Sequence, residues 1–139
     1  MTLALLFTLG EDVYGLEIEA VQEIIEDPLL HYVPRAEGVL VGAVNFHGQV
    51  LAVIDLPTLF GLSGEKRDNR RVVLAPQFKS LVLTVSSIQK IVRLDLSTLQ
   101  PPSTKTGPSA VRGVATLDEL MVNLLDTQKV IKQLGNQAS

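Results

Sequence analysis

"GAVNFHGQVLAVIDLPTLFG", residues 42–61, decides the fold. Two apolar runs, Val39 to Phe46 and Gln49 to Leu56, meet at a polar corner around His47-Gly48. Each run has the length of an ordinary strand and is nearly continuous in apolar side chains. Such strands are buried on both faces or belong to a tightly curved sheet. Asn and Gly tolerate the positive φ of tight turns, so Asn45-Phe46-His47-Gly48 reads as a hairpin corner. Phe46 and His47 then project there, offering a ring and a hydrogen-bonding edge. Pro57 opens a short helical turn after the second run, and Gly61 can close it.

The flanking sequence extends the same pattern. Leu3 to Leu9 and Val13 to Ile18 read as strands joined by Gly10-Glu11-Asp12. In the second, Tyr14, Leu16 and Ile18 alternate with Gly15 and Glu17. In "EIEAVQEIIED", Val21, Ile24 and Ile25 fall at helical spacing, which predicts one or two helical turns ended by Asp27-Pro28. "LLHYVPR" gives a short extended piece and Ala36-Glu37-Gly38 a turn. "SGEKRDNR", Ser63 to Arg70, is the most polar stretch and reads as a surface loop. "RRVVLAP", "SLVLTV" and "SIQKIVRLDL" are strand-like, and "QPPSTKTGPS" (100–109) is an irregular connection. "VRGVATLDELMVNLLD" predicts a hairpin turning at Leu117-Asp118-Glu119. A final helix is expected from an N-cap at Asp126 to Gly135. No fixed-period repeat is evident. Many short strands with close turns predict a mostly β protein, closed or sandwiched.

With 139 residues the chain is one domain's worth, 1–139, and long enough for a substantial core. Apolar residues make up 46% but aromatics only 4%, so Val, Leu and Ile must build that core. The net charge of −3, with no basic stripe, argues against nucleic acid as a partner. There is no cysteine, which excludes disulfides and thiolate chemistry. "MTLALLFTLGEDVYG" lacks the positive leader of a secretion signal and is broken at Gly10-Glu11-Asp12. No stretch approaches the ~20 apolar residues of a membrane span. A cytoplasmic protein without direct membrane insertion is expected.

Catalytic chemistry finds little support. His31 and His47 are the only histidines, and neither sits in a catalytic motif. The carboxylate pairs Glu11-Asp12, Glu26-Asp27 and Asp118-Glu119 fall in expected turns. Two scattered histidines give no ligand spacing for a metal, and no cofactor is expected. Asp55 ends an apolar strand, where an unpaired charge is costly. Its expected role is structural, accepting N–H groups from the turn that follows.

At these residues the chain resembles CheW-like domains, the adaptor modules of bacterial chemosensory arrays. "VYGLEIEAVQEIIE", "VPRAEGVLVGAVNFHGQVLAVIDLPTLFG", "SLVLTVSSIQKIVRL" and "VRGVATLDELMVNLLD" carry the resemblance, from Leu5 to about Ile131. Gly42, Asn45, Gly48 and Val53 to Leu56 match the family's strand-turn and the Val-Ile-Asp-Leu that follows. The resemblance implies two small, intertwined SH3-like β-barrels packed side by side, with short helices. It also implies a non-enzymatic role linking the cytoplasmic tip of a methyl-accepting chemoreceptor to the regulatory domain of a CheA-type histidine kinase. Family receptor contact involves the groove between the barrels. Val21, Glu23, Gly42, Asn45, His47 and Gly48 are the positions that match motifs lining or supporting it. Family kinase contact uses an exposed barrel edge. This chain departs from the pattern at His47 (usually Arg), Ala52 (usually Pro), Pro57 (often Arg) and Ser86 (frequently Asp). Two other readings stay open: a small-ligand sensor using the groove, and an enzyme employing His47 and Asp55.

Overall fold

The computed structural model describes residues 1–26, 29–31, 38–102 and 109–137. Its strands are β1 (Thr2–Leu9), β2 (Asp12–Glu17), β3 (Val21–Glu26), β4 (Leu40–Phe46), β5 (Gln49–Asp55), β6 (Arg70–Leu74), β7 (Leu81–Thr84), β8 (Ser87–Leu94), β9 (Val111–Leu117) and β10 (Leu120–Leu125). Helix α1 (Leu56–Leu59) follows β5, and α2 (Thr127–Gln137) follows β10. The strands form two five-stranded sheets, ordered β8-β1-β2-β10-β9 and β3-β6-β7-β5-β4. The chain leaves the first sheet after β2, builds the whole second sheet, and returns for β8 to β10.

Each sheet curls into an SH3-like barrel, and the same device draws both closed. His31, beyond β3, exchanges two backbone hydrogen bonds with Ala43 of β4, at 2.7 and 3.0 Å. Gln100, beyond β8, does so with Val114 of β9, at 2.9 and 2.8 Å. A glycine precedes each receiving residue because the crossing segment lies on it. A Cβ at Gly42 would stand 2.6 Å from the His31 carbonyl, and one at Gly113 2.6 Å from Leu99 Cγ.

The apolar strands feed three cores. On β1, Ala4 and Leu6 join Leu94, Ala115, Val122 and Leu124 inside the first barrel. Leu5, Phe7 and Leu9 point the other way, into a core shared with Ile54, Leu56, Val72, Leu74, Leu81 and Leu83 of the second sheet and α1. Val73 and Val82 instead meet Val44, Phe46, Leu51 and Val53 inside the second barrel. Alternation along a strand therefore fills two cores, which is why these strands read as unbroken apolar runs. Burial on both faces holds for β1, β6, β7 and the end of β5. Val50 and Ala52 on β5 are exposed, so there the sheet's curvature is the better account.

Four expectations need correction. Residues 21–26, expected as helix, form β3, preceded only by a 3₁₀ turn at Ile18–Ala20. Val21, Ile24 and Ile25 are β-branched, and β6 supplies a full antiparallel partner. β3 is an edge strand, which accounts for its polar residues. Helix α2 runs through Gly135 instead of ending there, in open space. The loop 63–70 is not simply solvated: Arg67 and Asp68 turn inward. Finally, the chain does contain an internal repeat. Replacing each strand of the first sheet by its counterpart five places along the chain turns its order into that of the second. One spacing takes Gly42 to Gly113, Gly48 to Glu119 and Asp55 to Asp126. Asp27-Pro28, Ala36-Glu37 and most of the 100–109 connection lie outside the described residues.

Candidate functional site

The β4–β5 hairpin turns on His47 and Gly48, with φ of 51° and 81°. Two successive positive φ angles make the mirror-image turn whose twist matches paired strands. Asn45 does not itself take the left-handed conformation; it stays in β4 and its Oδ1 accepts the Gly48 N–H at 3.0 Å. That bond secures the corner. The ring of His47 packs edge-on against Phe46, with centroids 4.3 Å apart, while its side chain remains 74% exposed. Its Nε2 lies 3.8 Å from Oε1 of Glu23 on β3. A cavity of about 160 Å³ opens beside them, lined by Gln22, Phe46, His47, Gln49, Leu51 and Leu74 among others. Barrel closure thus brings Glu23 of β3 to the hairpin that carries Asn45, His47 and Gly48, a segment distant from it in sequence.

The other two candidates support this corner from beneath. Val21 is half-buried where β3 meets Leu74, and it packs against the shared core. Gly42 admits the crossing segment at His31. None of the six lines two larger clefts in which the first sheet meets connecting segments of the chain. One, about 520 Å³, lies between the Leu9–Asp12 turn and Leu62–Lys66. The other, about 210 Å³, lies among Glu17, Phe78, Arg112 and the start of α2.

Asp55 is buried at the end of β5, and the Arg67 guanidinium is its charged partner. Arg67 donates from Nε at 2.7 Å and from Nη2 at 2.9 Å, and the Thr58 hydroxyl donates as well. Burial alone would push the carboxyl's pKa up; the bonds from Arg67 and Thr58, with the Arg67 charge, outweigh it and hold the pKa below its ordinary value. Asp68 behaves likewise. Its carboxylate accepts from the Ile88 N–H at 2.7 Å, the Arg70 N–H at 2.9 Å and the Arg70 guanidinium. Burial opposes and these bonds prevail, so its pKa is also lowered. Arg70 Nη2 also donates to the Ile88 carbonyl at 3.0 Å, tying loop and β6 to β8 in the other sheet. The sequence reading missed Arg67 and Asp68. The available signal was Asp55 itself, a charge ending an apolar strand that needs an opposite charge. Ser86, where the family frequently has Asp, is buried and accepts the Gly10 N–H at 3.0 Å.

His47 and Asp55 lie at opposite ends of β5, roughly 20 Å apart at the rise of a strand. No reaction can join them, which removes the enzymatic pairing of these two residues. Two SH3-like barrels fused through a shared core, one of them bearing an exposed hairpin corner, are the architecture of a chemotaxis adaptor domain. The chain belongs to the CheW-like domain family, whose model matches residues 3–135. It is 26% identical over 132 residues to "Chemotaxis protein CheW" of Klebsiella aerogenes, covering 91% of this chain and 80% of that protein. The namesake from Treponema pallidum is 26% identical over 144 residues, covering 94% and 85%. The crystal structure of the scaffolding protein TtCheW from Thermoanaerobacter tengcongensis superposes with a TM-score of 0.83 at 25% identity, covering 93% of this chain and 91% of that one. Among the described residues, no helix is long and apolar enough to cross a membrane.

Proposed function

We propose that residues 1–139 form one domain acting as a non-enzymatic coupling adaptor in chemosensory signalling. It holds the cytoplasmic tip of a methyl-accepting chemoreceptor and the regulatory domain of a CheA-type histidine kinase in register. A change in the receptor then shifts the kinase between active and inactive populations. The protein works in the cytoplasm, reaching membrane-bound arrays through its partners.

The observation that carries this reading is the His47 corner, an exposed imidazole packed edge-on against Phe46 and facing Glu23. Four of the positions that the resemblance implies for receptor contact, Glu23, Asn45, His47 and Gly48, lie at this corner, which supports the reading. A sensor function in the 520 Å³ cleft has less behind it, because Leu9 and Leu62 are its only large apolar walls. The test is the affinity of a receptor-tip fragment for wild type and for His47→Ala. Truncating an exposed side chain leaves stability within about 0.5 kcal/mol. Losing a contact at a hot spot costs about 1–2 kcal/mol of binding, roughly a 5- to 30-fold weaker complex. Equal affinity of the two proteins would remove His47 from the docking surface.

A further inference from the structure

The start of α2 borders the cleft of about 210 Å³, which shares no wall with the His47 corner. Glu17 ends β2, Glu19 stands in the 3₁₀ turn after it, and Asp126 precedes α2. These three line the cleft with Arg112 of β9 and Phe78 of the β6–β7 connection. Three carboxylates against one guanidinium leave an excess of two negative charges. The one cation is already engaged, Arg112 Nη1 donating to Glu17 Oε1 at 3.2 Å. Among the described residues, neither oxygen of Glu19 accepts a hydrogen bond, and Asp126 uses only Oδ1.

Carboxylates on a surface are ordinary, but Thr127 beside them is not. It lines the same cleft and is only 9% exposed, yet its hydroxyl makes no hydrogen bond among the described residues. Helix capping does not employ that hydroxyl, because Asp126 already accepts the Lys129 N–H. A hydroxyl taken from water without a partner is costly, and here it points to a group that arrives from outside. An anion would meet three carboxylates there. A cation would meet free acceptors and the half-buried ring of Phe78. Guanidinium fits better than ammonium, since it is planar, carries several donors and packs on aromatic rings. The cleft is smaller than the ~300–1,000 Å³ of small-molecule pockets, so it suits the end of one side chain. We propose that it receives an arginine side chain of a partner protein. Thr127 Oγ1 and the free oxygens of Glu19 and Asp126 accept its hydrogen bonds, and Phe78 walls it.

The test uses the full chain and N-acetyl-argininamide, which presents the side chain without charged termini. An NMR titration should give saturable shifts at the amides of Glu19, Phe78, Arg112 and Thr127, weakening with salt. The citrulline analogue, close in shape but uncharged, should bind about tenfold more weakly or worse. Glu19→Gln and Thr127→Val should each weaken arginine binding about fivefold. Glu65→Gln, outside this cleft, should leave it unchanged. Thr127→Val also separates binding from folding. Valine keeps the shape and removes an unpartnered hydroxyl, so the urea midpoint should rise while binding falls. Shifts that do not saturate and spread over every acidic surface overturn the proposal, as does equal binding of the citrulline analogue. So does a Thr127→Val protein that binds like wild type or is less stable, which would give the hydroxyl a role inside the fold. No receptor or kinase enters the measurement, so its outcome is independent of the adaptor reading.

Discussion

The two barrels share a frame and differ in what that frame presents. Both hairpins turn through two residues of positive φ, His47-Gly48 in one and Asp118-Glu119 in the other. Both lead into a strand joined to a helix at an aspartate, Asp55 as the last residue of β5 and Asp126 between β10 and α2. Asp126 caps α2 in the ordinary way, its Oδ1 accepting the Lys129 N–H at 3.2 Å. Asp55, at the equivalent place, is buried and held by the Arg67 fork. One corner offers an aromatic pair and a hydrogen-bonding edge; the other offers two carboxylates. Backbone geometry thus sets where a corner stands, and side-chain identity sets what it can bind.

The largest expected effect concerns how far the barrels are separate bodies. Phe7 is fully buried in the shared core and Leu124 in the first barrel's own core. Phe7→Ala should cost about 3–5 kcal/mol and Leu124→Ala about 2–5 kcal/mol. Residues of both sheets build the shared core, so unfolding should remain one cooperative transition in either variant. Calorimetry and urea titration read this directly. A second transition in Leu124→Ala, with the other barrel intact, would break the picture of two barrels fused through one core.

Next comes the contrast between the aspartates. Breaking a buried ion pair by removing one partner costs about 3–5 kcal/mol, but Arg67 is 28% exposed and can reach water. Asp55→Asn should therefore cost about 2 kcal/mol near neutral pH. Asp126→Asn should cost less than about 0.5 kcal/mol, because asparagine caps helices equally well. The pH dependence has a definite sign. Asp55 and Asp68 have folded pKa values below their unfolded ones. The stability they supply is fully present above the unfolded carboxylate value of about 3.9 and is lost as pH falls through the lower folded values. Acid unfolding should therefore begin below about pH 4, and Asp55→Asn should flatten that limb. A steep acid limb persisting in Asp55→Asn would show that the Arg67 pair contributes little.

The sequence was most legible where one residue's local preference decided the outcome. Gly61 after Pro57, Asp126 before α2 and the turn at Asp118-Glu119 all follow from backbone chemistry and stand as expected. The wide apolar runs also announced a β protein. Reading failed where the partner was distant. Residues 21–26 carry apolar groups at both helical and strand spacing, and only pairing with β6 settles which applies. Arg67 looked solvated because its partner lies on another element. The repeat escaped notice because its halves share few identities and exchange strands, so sequence neighbours are not sheet neighbours. At the candidate corner, the family resemblance singled out Glu23 and His47, while their approach to 3.8 Å needed the curvature of the second barrel.

The smallest effect tests the equivalence of the corners themselves. Gly48 and Glu119 occupy the same place in the two turns, at φ of 81° and 69°. Glycine adopts such angles freely, whereas any residue with a Cβ meets its own backbone there. Glu119→Gly should relieve that strain. The gain is partly offset because glycine also frees the unfolded chain, leaving a stabilisation of about 0.5 kcal/mol. Gly48→Glu should do the reverse, and by more, costing about 1 kcal/mol. A Cβ at Gly48 meets nothing within 4 Å, so backbone conformation alone is responsible. Urea midpoints at unchanged slope give both numbers. Shifts of opposite sign show that one turn geometry serves both barrels. Shifts of the same sign would mean that the corners are held by different forces, and the equivalence drawn from their φ angles would be lost.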